Sequence, residues 1–171
     1  WFKRNTYRKV RSVAERYADT VRIFGEPDSR LDLPLPDDLV RTATGLVLSG
    51  KFSAEDRIVG FAPCAMHFTK RWPMDRFIRL GVALCAEERV KLIVLGTPAE
   101  PHYCADIAHL VNSGANSHCA ESHAGRLSLT ETAAAAGLCA LVVSNDTGLM
   151  HIAAARGVPV VAVFGSSVKE F

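Results

Sequence analysis

The sequence carries no Gly-x-Gly-x-x-Gly behind an apolar run and no Gly-x-x-x-x-Gly-Lys-Ser/Thr, so fingerprint dinucleotide dehydrogenases and P-loop NTPases both lack their defining phosphate loop here. No apolar run approaches the ~20 residues that span a bilayer, and the first residues show no secretory-signal pattern. A marked excess of one charge sign is lacking. The net charge is +2 with 22% charged residues, a balance that as a whole implies no nucleic-acid and no membrane partner, so any basic surface must be local. Cys64, Cys85, Cys104, Cys119 and Cys139 are odd in number and show neither CxxC nor Cys/His zinc spacing. This predicts no metal site and reduced thiols of a cytosolic compartment, most of them buried as small hydrophobes.

What is present is enough chain, 171 residues, for one domain with a full core. The chain opens on Trp1 and ends shortly after an apolar run, which reads as a piece of a longer protein. Between Trp1 and Phe24, Val10, Val13, Ala14, Tyr17, Ala18 and Val21 form one apolar stripe at helical spacing, with Gly25 as the stop. The other face gathers Lys3, Arg4, Arg8, Lys9, Arg11, Arg16 and Arg22 against only Glu15 and Asp19. A solvated face and a peripheral contact with anionic lipid or an acidic acceptor both fit such a run. Glu26 to Asp38 is rich in Pro and Asp and predicts a linker, with an edge strand over Leu31 to Leu35. The domain boundary falls there, dividing 1–38 from 39–171.

Beyond it, helices and buried runs alternate. Helices are expected over Asp37–Leu48, Trp72–Glu88, Ala99–Val111 and, behind the capping box Ser128-Leu-Thr-Glu131, up to Ala136 with Gly137 as its stop. Strands are expected over Arg57–Ala62, Val90–Leu95, near Cys119, over Leu141–Val143 and over Val158–Phe164. The alternation predicts an α/β fold, a Rossmann-like parallel sheet with helices on both faces. The most informative stretch is Leu141 to Gly165. There a strand stops at Ser144, Asn145 and Asp146, and a small-residue helix over Leu149–Arg156 ends at Gly157 before the last strand.

In such a sheet, ligands collect at the carboxyl ends of the strands and anions at the free N–H groups of a following helix. Asp146, Thr147, Gly148 and His151 therefore fall at a phosphate-sized site, although a plain connection with Asp146 capping the helix would select the same residue types. Three further loops meet the same edge: Pro63–Arg71, Gly96–Glu100 and Gly125–Ser128. Lys70, next to Thr69, suits a phosphate, and Glu100 can accept two ribose hydroxyls. A solvated lysine, an acid favoured at a helix N-terminus and a core imidazole are the corresponding plain readings of Lys70, Glu100 and His151.

TKRWP at Thr69–Pro73, LGTPAE at Leu95–Glu100, GRLSLTE at Gly125–Glu131 and SNDTGLMHIAAARGVPVVAVFG at Ser144–Gly165 resemble the lipopolysaccharide core heptosyltransferases, in consistent order from about Ile58 to Phe171. The resemblance implies the C-terminal, donor-binding domain of a GT-B glycosyltransferase that is inverting and uses ADP-heptose with no metal or other cofactor. It puts Lys70 on the diphosphate with Thr69 beside it, and Glu100 on the ribose. Adenine falls at the backbone around Leu127 and Ser128, sugar hydroxyls at Asp146, and phosphate at Thr147 and Gly148 with His151 close by. The catalytic base is implied to lie in an N-terminal, acceptor-binding half, whose end the basic helix resembles. A lipid A–core acceptor would bind that half, and the enzyme would be cytoplasmic, at the inner membrane of a Gram-negative bacterium. Cys64, Ala65 and Met66 stand where the family usually has Gly-Ala-Ser, and they supply neither close backbone approach nor a hydroxyl. That departure predicts a weaker diphosphate contact on this side or an altered donor. A nucleotide-binding module without catalysis, and a sugar-nucleotide epimerase preferring a uridine nucleotide, are the alternatives.

Overall fold

The computed structural model describes residues 32–49 and 52–165, with the isolated positions 15, 20, 22 and 25. The basic helix expected over Trp1–Phe24, apart from positions 15, 20 and 22, and residues 26–31 of the expected linker lie outside the described residues. Helix α1 (Asp37–Leu48) starts behind Pro36, with Asp37 and Asp38 facing the positive end of its dipole. It is followed by β1 (Arg57–Ala62), α2 (Met74–Cys85), β2 (Val90–Val94), α3 (Pro101–Ala115) and β3 (Ala120–Ser122). The second half holds α4 (Leu129–Gly137), β4 (Leu141–Asn145), α5 (Gly148–Ala155) and β5 (Val160–Val163). All strand pairs are parallel, in the order β3-β2-β1-β4-β5. The order reverses between β1 and β4, which is where an open parallel sheet offers its ligand crevice.

Period-two alternation sends side chains of one strand to two separate cores. Val59, Phe61, Leu92 and Val94 face α2 and α3, where Phe77, Ile107 and Val111 meet them. Ile58, Ile93, Leu95 and Val142 face the opposite side, with Val47, Ala135, Ala136 and Ala153. Helices thus cover both faces, as the alternation implied. Burying side chains such as Phe61, Phe77 and Leu92 stabilises the fold by about 1.5–3 kcal/mol each relative to exposure.

Three local expectations are corrected. Residues 32–36 form no strand: Pro34 and Pro36 lack donors, and Leu33 instead donates to Ala155 O at 3.0 Å and accepts from Arg156 Nη1 at 2.6 Å. Strand β4 does not stop at Val143 but runs on through Ser144 and Asn145, which pair with Ala162 and Val163 of β5 and are fully buried. Helix α4 ends at Gly137 as expected, with Leu138 closing it in a right-handed conformation. Gly157, with φ +74°, does end the turn behind α5 in the left-handed region. Finally, the thiols are not all reduced. Cys85 and Cys119 form a disulfide across a Cα separation of 6.1 Å, tying the end of α2 to the approach to β3, while Cys64, Cys104 and Cys139 are free and buried. Burial pushes the Cys139 thiol up to about 12.

The segment leading into β3 is organised by one side chain. Asn112 accepts from the Cys119 and Ala120 amides at 2.9 and 2.8 Å and donates to Ala120 O at 2.9 Å, standing in for a strand partner. The capping box forms as expected: Ser128 Oγ accepts from the Glu131 amide at 3.2 Å, and Glu131 Oε2 accepts from the Ser128 amide at 2.7 Å. Those bonds hold the Glu131 carboxyl below its usual range, so this support is present above the ordinary carboxylate pKa and fades as pH falls through the lowered one. Ser128→Ala is expected to cost about 1 kcal/mol, read as a fall of about 3 °C in Tm. Among the described residues, no helix is long and apolar enough to cross a membrane.

Candidate nucleotide-sugar site

The loop after β1 is fixed at both ends by Asn145, the last residue of β4. Its Nδ2 donates to Pro63 O at 2.6 Å, and its Oδ1 accepts from the Trp72 amide at 3.0 Å. The Trp72 ring packs edge-on against Phe77 at 4.9 Å, and Phe77 against Phe61 at 5.4 Å, so the loop is also anchored in the core. Gly165, after β5, backs the same loop: a Cβ there would collide with the Thr69 carbonyl oxygen. Within this frame a short 3-10 turn, Phe68–Lys70, presents Lys70. Its Nζ meets Asp146 Oδ2 at 2.6 Å, joining the loop after β1 to the loop after β4.

A second charged pair joins β1 to β2. Arg71 Nη2 donates to Glu100 Oε1 at 3.1 Å, and its Nε donates to Ala65 O at 2.7 Å. Thr97 Oγ1 donates to the other oxygen of Glu100 at 3.2 Å. Glu100 occupies the N-cap position of α3 but makes no capping bond. The N-cap of α5 is Thr147, whose own side chain makes no capping bond. As at any helix start, the first N–H groups of α5 have no intrahelical partner, and the Thr147 hydroxyl is buried without a hydrogen-bond partner.

These groups surround one cavity of about 610 Å³ at the switch point of the sheet. Lys70, Thr97, Glu100, Asp146, Thr147 and Gly148 supply its polar wall; Met66, Leu129, Leu149 and Ile152 supply much of the apolar remainder. One lysine, two carboxylates and a helix N-terminus suit a ligand with a diphosphate, hydroxyl groups and one flat apolar part. Of the nine residues proposed from sequence, Lys70, Glu100, Asp146, Thr147 and Gly148 line the cavity. Thr69 and His151 are exposed outside it, so His151 is not a core residue either. Leu127 is buried in the core under α4, and Ser128 is engaged in the capping box. Leu129, 70% exposed, is the residue of that segment that reaches the cavity.

Sequence reasoning missed Arg71, Asn145, Thr97 and Leu129. Arg71 sits inside the TKRWP run, and an exposed leucine at the first helical position was a signal in its own right. Cys64 and Met66, the departures noted above, both line the cavity. Cys64 Sγ lies 3.5 Å from Cys104 Sγ, and that contact together with burial pushes its thiol well above the usual range.

A family model described as glycosyltransferase family 9 (heptosyltransferase) matches residues 8–171. Lipopolysaccharide heptosyltransferase 2 of Salmonella typhimurium is 32% identical over 120 residues, covering 70% of this chain and 34% of that protein. The match thus spans about a third of the length of the curated relatives. Among solved structures, a family 9 glycosyl transferase from Veillonella parvula superposes with a TM-score of 0.82 at 24% identity, over 98% of this chain and 48% of the other. The Escherichia coli ADP-heptose LPS heptosyltransferase II gives a TM-score of 0.71 at 26% identity, over 82% and 41% respectively.

Proposed function

This chain belongs to glycosyltransferase family 9, the heptosyltransferases, and from that premise we propose that residues 39–171 are the donor-binding domain of a GT-B enzyme that transfers heptose from ADP-heptose to the lipopolysaccharide inner core. One observation carries the reading. Lys70, Glu100, Asp146 and the open N-terminus of α5 come from three different loops, yet they line a single cavity at the strand-order reversal.

In this reading the amides at Thr147 and Gly148, with Lys70, hold the diphosphate and stabilise it as it departs. Glu100 accepts the ribose hydroxyls, adenine lies against Leu129 and the neighbouring backbone, and Asp146 orients the heptose. Transfer is a direct displacement. The acceptor oxygen bonds to the anomeric carbon, the bond from that carbon to the diphosphate breaks, and a carboxylate outside this chain takes the acceptor proton. Inversion follows from the single displacement, with no metal or other cofactor. The acceptor is the lipid A–core saccharide, held by the half of the enzyme to which residues 1–38 lead. The basic residues between Lys3 and Arg22 suit a peripheral contact at the cytoplasmic face of the inner membrane.

Titration calorimetry of the protein with ADP, UDP and GDP tests the donor reading. Selective ADP binding is expected. A preference for UDP would move the site to another nucleotide sugar, as in an epimerase, and no binding to any of the three would overturn the reading.

A further inference from the structure

We propose that Arg71 is a positioning residue, which holds the Glu100 carboxylate in register and so gives the site its preference for ribonucleotides over 2′-deoxyribonucleotides. The inference rests on the reading that Glu100 receives the ribose. Arg71 itself does not line the cavity, whereas Glu100 does, so any effect on a ligand passes through the carboxylate. The guanidinium spans two ligand loops, with Nε on Ala65 O at 2.7 Å and Nη2 on Glu100 Oε1 at 3.1 Å. The first bond fixes the plane of the fork, and the second fixes the carboxylate against it.

Nothing in Glu100's own helix does this, since as N-cap residue of α3 it makes no capping bond. Thr97 Oγ1, at 3.2 Å, restrains the other oxygen but leaves the carboxylate free to turn about that contact. Arg71 and Thr97 each take one acceptor direction, on different oxygens, and the Cys64 thiol, a weak donor, also faces this carboxylate, so hydroxyl donors of a ribose compete there only with a thiol. Two acceptors held in one plane match the vicinal hydroxyls of a ribose, and a 2′-deoxy sugar leaves one of them unanswered. Lysine cannot replace the arginine, because a single ammonium on a flexible stem does not reach Ala65 O and Glu100 in a fixed fork.

Calorimetric titration with ADP and 2′-deoxy-ADP, using wild type, Glu100→Ala, Arg71→Ala and Arg71→Lys, tests this. Wild type is expected to favour ADP by about tenfold or more, the scale of one hydrogen bond to a charged group. Glu100→Ala should bring that ratio close to one. Both Arg71 variants should bring it to within about threefold, while 2′-deoxy-ADP affinity changes much less than ADP affinity. If Arg71→Ala fails to fold, Arg71→Lys carries the readout alone. Arg71 variants that keep the wild-type ratio while Glu100→Ala loses it would overturn the positioning role and leave the ribose reading intact. A wild type that does not discriminate would overturn the ribose reading and this inference with it.

Discussion

Asn145→Ala is expected to cost about 3 kcal/mol of stability and, in the same step, to weaken ADP binding at least about tenfold. The side chain is fully buried and answers two backbone groups, Pro63 O at 2.6 Å and the Trp72 amide at 3.0 Å. Alanine would leave both without their partner in a region closed to water, and each such loss costs about 1–3 kcal/mol. The affected segment runs from Pro63 to Trp72 and carries Lys70 and Arg71, so the lost bonds release the loop that presents both cations. Chemical denaturation and ADP titration read the two effects separately. Asn145→Asp sharpens the test, because it keeps the acceptor for the Trp72 amide but turns an oxygen toward the Pro63 carbonyl. Stability lost with ADP affinity unchanged would mean that the loop is held in place by the Trp72 packing alone.

Lys70→Ala is expected to weaken ADP binding about ten- to hundredfold, the scale of a charged hydrogen bond of about 1.5–3 kcal/mol. Its Nζ lies 2.6 Å from Asp146 Oδ2, and the two side chains are 30% and 16% exposed, so they act as one unit in a partly desolvated cleft. Removing the lysine takes away the phosphate contact and also leaves the Asp146 charge facing the diphosphate without its Lys70 partner. The Lys70→Ala/Asp146→Asn double variant should therefore recover part of the loss, a non-additivity typical of residues in direct contact. Asp146→Asn alone should leave ADP affinity near wild type and weaken ADP-heptose, because its assigned partner is the sugar. Strictly additive losses for ADP in this cycle would separate the two residues and contradict the shared site.

The fold was largely legible because its signals are local. Apolar runs such as Val90–Val94 sit between helices with clean faces, and the Ser128–Glu131 capping box and Gly157 mark element ends as their chemistry requires. The errors fall where tertiary context overrides local preference. Ser144 and Asn145 look like turn residues, yet β4 continues through them because β5 pairs alongside and the Asn145 amide is used inside the protein. The strand expected over Leu31–Leu35 fails because two prolines leave Leu33 with single bonds to the end of α5. The Cys85–Cys119 bridge joins residues 34 apart with no motif between them, so spacing could not announce it.

At the site, residue type and loop position were enough to gather Lys70, Glu100, Asp146, Thr147 and Gly148. They were not enough for residues that act by holding others. Arg71 and Asn145 do so across 29 and 82 positions of sequence, respectively. His151 illustrates the converse, a plausible ligand type one turn into α5 whose helix face turns it to solvent outside the cavity.

The most direct test of the central claim is a crystal structure of this protein with ADP bound. The account predicts the diphosphate at the first amides of α5 beside Lys70, the ribose hydroxyls on Glu100 and the adenine against Leu129. ADP bound elsewhere, such as in the open depression of about 570 Å³ that His109, Asn112 and Glu121 line along α3 and β3, would contradict it.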